Sequence, residues 1–126
     1  ELDADINDGY PYKYSTQAND TATYTPTIGV AGEYEVYEWH GWHGNRPDSN
    51  NEVTAQVEVV HADGTDNLTV DQSANYGQWN LLGTCNFNNG TSGYVRFIHP
   101  GGGSMIADVV KFVFTGNTSG GGSTTW

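Results

Sequence analysis

Apolar and polar residues alternate along much of the chain with a period of two, and no segment holds a helical period with caps at its ends. Glu33-Tyr34-Glu35-Val36-Tyr37-Glu38-Trp39 is the clearest case, because on an extended backbone its side chains fall on opposite faces in turn. This alternation, with the β-branched and aromatic enrichment, predicts strands over 10–16, 21–25, 32–39, 53–61, 67–72, 78–84, 93–99 and 105–114. Turn chemistry separates them at Ala62-Asp63-Gly64, Asn88-Asn89-Gly90 and Pro100-Gly101-Gly102-Gly103. About eight short strands predict an all-β domain, a jelly-roll-like antiparallel β-sandwich.

The 126 residues are enough for one domain with a real core. Residues 1–9 read as an acidic N-terminal segment, 10–115 as the sandwich and 116–126 as a Gly/Ser/Thr-rich tail or linker. No internal repeat points to a solenoid or propeller.

Charge narrows the partners. Fifteen acids against four bases give a net charge of −11, a field that repels nucleic acid. No apolar run has membrane-spanning length, and neither an amphipathic basic helix nor an N-terminal signal segment is visible in these 126 residues. Cys85 is the single cysteine, which excludes an intrachain disulfide and a Cys-based zinc cluster. The scarcity of Lys and the Asn-x-Ser/Thr sequons at Asn19, Asn67, Asn89 and Asn117 point to a secreted, extracellular chain; if Glu1 is a mature start, a signal has been removed. In a chain rich in Asn and Thr, sequons also arise by chance.

The densest chemistry lies in Tyr37-Glu38-Trp39-His40-Gly41-Trp42-His43-Gly44-Asn45-Arg46, where a strand gives way to a loop. Indole faces stack on the C–H faces of sugar rings, while His, Asn and Arg bond hydroxyls or carboxylates. Trp39, His40, Trp42, His43, Asn45 and Tyr37 are therefore the expected ligand-binding residues, with a sheet-core role as the plain alternative for Trp39.

Other constellations are weaker. Asp3, Asp5 and Asp8 offer hard oxygen ligands for calcium, but the segment lacks EF-hand register, and a solvated acidic entry is the simpler reading. His40, His43, His61 and His99 have no spacing that enforces a transition-metal site. Cys85 reads as a small buried hydrophobe rather than a nucleophile, and Glu33 and Glu35 as solubilising acids on one strand face rather than a catalytic pair. If Lys111 faces water, Ile106, Asp108, Val110 and Phe112 share the apolar face, so Asp108 needs a partner, for which Arg46 is the candidate in a structural ion pair and backbone amides the alternative.

Several strings together carry a resemblance: Ala31-Gly32-Glu33-Tyr34-Glu35-Val36-Tyr37, Asn45-Arg46, His61-Ala62-Asp63-Gly64, Val70-Asp71-Gln72, Gly77-Gln78-Trp79-Asn80-Leu81-Leu82-Gly83-Thr84 and Ile106-Ala107-Asp108-Val109-Val110-Lys111-Phe112. From about Tyr10 to Phe114 the chain resembles the golvesin C-terminal domain, also described as xanthan-lyase carbohydrate-binding-like. The resemblance implies a noncatalytic β-sandwich of secreted bacterial proteins, often appended to lyases, peptidases or cell-wall enzymes. It also implies a hairpin position for His61, a place in the sheet core or rim for Trp79, and a structural role for Asn45-Arg46 and Asp108. Relatives carry a further acidic, aromatic first strand that this chain is expected to lack, which would leave an edge to be covered.

The expected function is thus a noncatalytic secreted carbohydrate-binding or adhesion module that takes a polysaccharide or cell-surface glycan, without a cofactor apart from the calcium option. One alternative is a self-assembling filament or sheet subunit completed by strand exchange with other copies; another is an accessory domain of a larger secreted hydrolase or lyase.

Overall fold

A computed structural model describes residues 13–15, 17–41, 54–102 and 105–117. Asp3, Asp5, Asp8, Trp42, His43, Asn45 and Arg46 lie outside the described residues, as do the segment 1–9 and the end of the tail. Among the described residues the secondary structure is β only, in nine strands: β1 (Lys13–Ser15), β2 (Thr21–Tyr24), β3 (Gly32–Trp39), β4 (Ala55–His61), β5 (Gly64–Val70), β6 (Trp79–Phe87), β7 (Tyr94–Ile98), β8 (Met105–Ala107) and β9 (Val109–Phe114).

All pairings are antiparallel. One sheet has the order β2-β7-β4-β5, a second has β6-β3-β9, and β1 pairs with β8 alone. Alternation explains how the two larger sheets stack into a sandwich. Ala55, Val57 and Val59 of β4 and Val95 and Phe97 of β7 turn inward from one sheet; Tyr34 and Val36 of β3 and Cys85 and Phe87 of β6 turn inward from the other. Leu68, Val70, Val110, Phe112 and Phe114 close the flanks. Phe87 is sealed completely, in edge contact with Tyr34 and Phe112. Gly93 has to be glycine: a Cβ there would sit 2.5 Å from the Phe87 ring and 3.0 Å from the Val60 carbonyl.

Three expected strands differ from the observed ones. The single strand expected over 105–114 breaks at Asp108: β8 pairs with β1, whereas β9 pairs with β3. Asp is a poor strand former, and here the chain leaves one sheet for another. The strand expected from 67 starts at Gly64, since the polar run Gly64-Thr65-Asp66 is drawn into the ladder by a tight hairpin in which His61 pairs with Gly64. Gly64 takes φ 139°, which favours glycine. The strand expected to stop at 84 continues to Phe87.

That longer β6 contains a bulge. Tyr37 pairs with Leu81 but Val36 with Gly83, so Leu82 is an extra residue. Parity along β6 therefore reverses: Cys85 and Phe87 point inward, yet Trp79 and Leu81, also odd-numbered, point outward.

Candidate functional site

The outer face of the β6-β3-β9 sheet is built by cross-strand pairs. Trp39 lies opposite Trp79 and Val109, and Tyr37 lies opposite Leu81 and Lys111. The two indoles meet edge to face, 5.5 Å between centroids at 68°. Lys111 places its ammonium 4.3 Å from the Trp79 ring centroid and 5.0 Å from that of Tyr37, a double cation–π contact. Leu81 is 56% exposed, Val109 42% and Trp79 37%, so the apolar surface is open to solvent rather than covered. Further along β3 the face becomes polar: Glu35 accepts a hydrogen bond from the Tyr37 hydroxyl, and Glu33 accepts from Thr115 and the Asn117 side chain. These two bonds hold the Glu33 carboxyl below its ordinary range.

His40 does not join that face. It follows β3 on the inner side with Glu38, each 1% exposed. Its Nδ1 lies 2.9 and 3.0 Å from the two Glu38 carboxylate oxygens, and its Nε2 lies 2.8 Å from the Ala74 carbonyl. Acceptors at both ring nitrogens call for the doubly protonated ring. Burial pulls the His40 pKa down, but the Glu38 carboxylate, the Ala74 carbonyl and the Asp108 charge together hold it above its ordinary value. Asn80 donates to Glu38 at 2.7 Å and to the Asn75 carbonyl at 3.0 Å, while the Gly77 amide donates to the His40 carbonyl. The pair thus ties the segment that leads into Trp79 to the end of β3.

Beside the aromatic face, where β5 and β6 edge the sandwich, opens a cleft of about 210 Å³. Glu38, Asp71, Asn75, Asn80 and Leu81 are among its lining residues, and Leu81 belongs to both surfaces. Asp108 is half-buried near this network: burial raises its pKa, with His40 lowering and Glu38 raising it. Its expected partner Arg46 is outside the described residues.

Of the six expected binding residues, the structure brings Tyr37 and Trp39 together and sets His40 apart; Trp42, His43 and Asn45 are not described. Trp79, Leu81 and Lys111 complete the face. The remaining expected sites scatter. His99 is fully buried and its Nδ1 accepts the Gly101 amide. Asn19, Asn67 and Asn89 are exposed; the Asn117 amide is engaged with Glu33, so a glycan there would cost that hydrogen bond. Burial, with Asp66 beside it, pushes the Cys85 thiol up to about 11, so without a cation beside it the sulfur is protonated.

Comparison with known proteins settles the family. The family model of the golvesin C-terminal domain matches residues 1–114. The chain belongs to the golvesin C-terminal domain family. As a golvesin C-terminal domain it is 40% identical over 100 residues to a xanthan lyase of Bacillus sp. (strain GL1), an alignment covering 76% of this chain and 10% of that one. The solved structure of a Paenibacillus xanthan lyase superposes with a TM-score of 0.73 at 34% identity, over 82% of this chain and 10% of that one. The chain therefore spans about a tenth of the length of these relatives and corresponds to a small part of a much larger enzyme. The family match also takes in Glu1 to Gly9, ahead of the strings in which the resemblance was read.

Proposed function

We propose that this domain is a noncatalytic polysaccharide-binding module of a larger secreted enzyme, and that it binds through the outer face of the β6-β3-β9 sheet. The observation that carries this reading is the continuous surface on which exposed Trp79, Leu81 and Val109 adjoin half-buried Trp39 and Tyr37. Sugar rings stack on such a face through their C–H surfaces, and the Lys111 ammonium donates to a hydroxyl or carboxylate oxygen of the stacked unit. A neighbouring sugar can then reach the polar cleft past Leu81, where the side chains of Asn75, Asn80 and Asp71 offer donors and acceptors. The relatives support a polysaccharide ligand, since both are named for a lyase that acts on one. Secretion follows from the same reading, because the polymer lies outside the cell.

Affinity electrophoresis in gels containing xanthan, or a neutral β-glucan, tests this directly. The expected result is retardation by at least one polymer that is lost in Trp79→Ala, with the far-UV spectrum unchanged. Equal retardation of the folded variant would remove the platform from the mechanism.

A further inference from the structure

A second cluster lies at the opposite end of β6 from Trp79, six residues or roughly 20 Å along the strand. Alternation places His61 of β4 on the inner face with Val57 and Val59, and pairing opposite Val59 places Asp66 of β5 on that face too. Across the sandwich, Cys85 points inward from β6. Three metal-ligating side chains thus occupy positions where a sandwich would ordinarily carry aliphatic residues, and their donor atoms all lie within 4.8 Å of one another.

Two spacings are already those of a coordinated cation. Donors held 2.0 to 2.3 Å from a tetrahedral zinc stand about 3.3 to 3.6 Å apart. His61 Nε2 is 3.2 Å from Asp66 Oδ2, and Cys85 Sγ is 3.6 Å from the same oxygen. The imidazole is independently informative. His61 is only 10% exposed, and its Nε2 is sealed from solvent without a hydrogen-bond partner, the nearby carboxylate lying off the N–H direction. A buried polar atom left this way is costly unless something else engages it.

We propose that His61 Nε2, Asp66 Oδ2 and Cys85 Sγ bind one divalent transition-metal cation of the zinc or cobalt class, with a fourth position open to water. Asp66 is 53% exposed, which gives the cation its entry path. The proton balance is simple. The thiol proton leaves to solvent as sulfur binds; the imidazole keeps one proton, which moves from Nε2 to Nδ1. Nδ1 then gives up the 3.2 Å bond it accepts from the Asp63 amide, and in this exposed turn that amide can turn to water. Closing the His61–Cys85 gap to tetrahedral spacing needs a side-chain shift of about 1 Å, within the reach of an imidazole at a hairpin end. Bound in this way, the cation would bridge the two sheets at the edge formed by β5 and β6.

The test is a titration of the reduced, chelator-treated full chain with cobalt(II) chloride. One equivalent should bind, with a thiolate-to-cobalt charge-transfer band in the near ultraviolet and tetrahedral ligand-field bands in the visible. Both should vanish in Cys85→Ala, and His61→Ala should lose the tetrahedral bands. Asp66→Asn, a change at a half-exposed side chain, should weaken binding by about tenfold or more and keeps the test open if a core variant fails to fold. Absence of the band in the parent chain, or its persistence in folded Cys85→Ala, overturns the proposal. So does an unchanged affinity in Asp66→Asn. In those cases the inward acid serves only to keep the sheet edge from pairing with other copies.

Discussion

Lys111 is one of four basic residues in a chain of net charge −11, and the fold holds it against two aromatic rings. Its ammonium is the positive group of the platform, so it should separate acidic sugars from neutral ones. Lys111→Met keeps the apolar stem and removes the charge. Binding to an acidic polysaccharide should fall several-fold while binding to a neutral one holds, measured by isothermal titration with matched oligosaccharides; an equal loss for both would make Lys111 a packing residue only. Alternation along the last strand allows its outward direction as a condition, while for Trp39 a sheet-core role stays open until its contact with Trp79 is visible. The inward burial of His40 is not readable. It follows Glu38 on the same face, but a histidine at a strand end looks like a loop residue until its carboxylate and carbonyl partners are visible.

Among the elements, β8 is completed by a side chain. Gln72 is fully buried; its Nε2 donates to the Ile106 carbonyl at 3.0 Å and its Oε1 accepts the Ile106 amide at 2.8 Å. The carboxamide thus occupies the place of a peptide group in a neighbouring strand. Gln72→Ala leaves both backbone groups buried without these partners, at about 1–3 kcal/mol each. A loss of roughly 2–4 kcal/mol is expected from urea unfolding, and a change below 0.5 kcal/mol would show that water replaces the amide. Most strands were legible because one face of each is apolar. The exceptions follow a physical pattern: Gly64 to Asp66 pair through a turn rather than through hydrophobic burial, and the break at Asp108 comes from a change of sheet that periodicity does not register.

For the whole molecule, the buried charges set a pH response. The folded pKa of His40 lies above its ordinary 6.5, so the stability it contributes is complete below that value and is lost as pH rises through the raised pKa. Asp108 acts in the same direction: its raised pKa means that ionising it disfavours the fold, a penalty absent below its ordinary 3.8 and complete once pH has passed the folded value. Glu33, whose carboxyl is held below its ordinary range, acts oppositely and loses its contribution in strong acid. Thermal melts should therefore show a higher Tm in mildly acid buffer, below the ordinary 6.5 of His40, than in alkaline buffer. His40→Gln should flatten the part of that decline that lies above 6.5; an unchanged slope would assign it to other groups. The bulge at Leu82 has the widest reach of any feature here. Because Leu82 is the extra residue, deleting it would join Leu81 to Gly83 in a regular ladder and keep Trp79 and Leu81 outward, whereas pairing β6 through without a bulge while Leu82 is retained would rotate both toward the core. What keeps the aromatic surface outside is thus the register that each half of β6 holds with β3, so descent within this fold can gain or lose the residue at 82 without losing the surface.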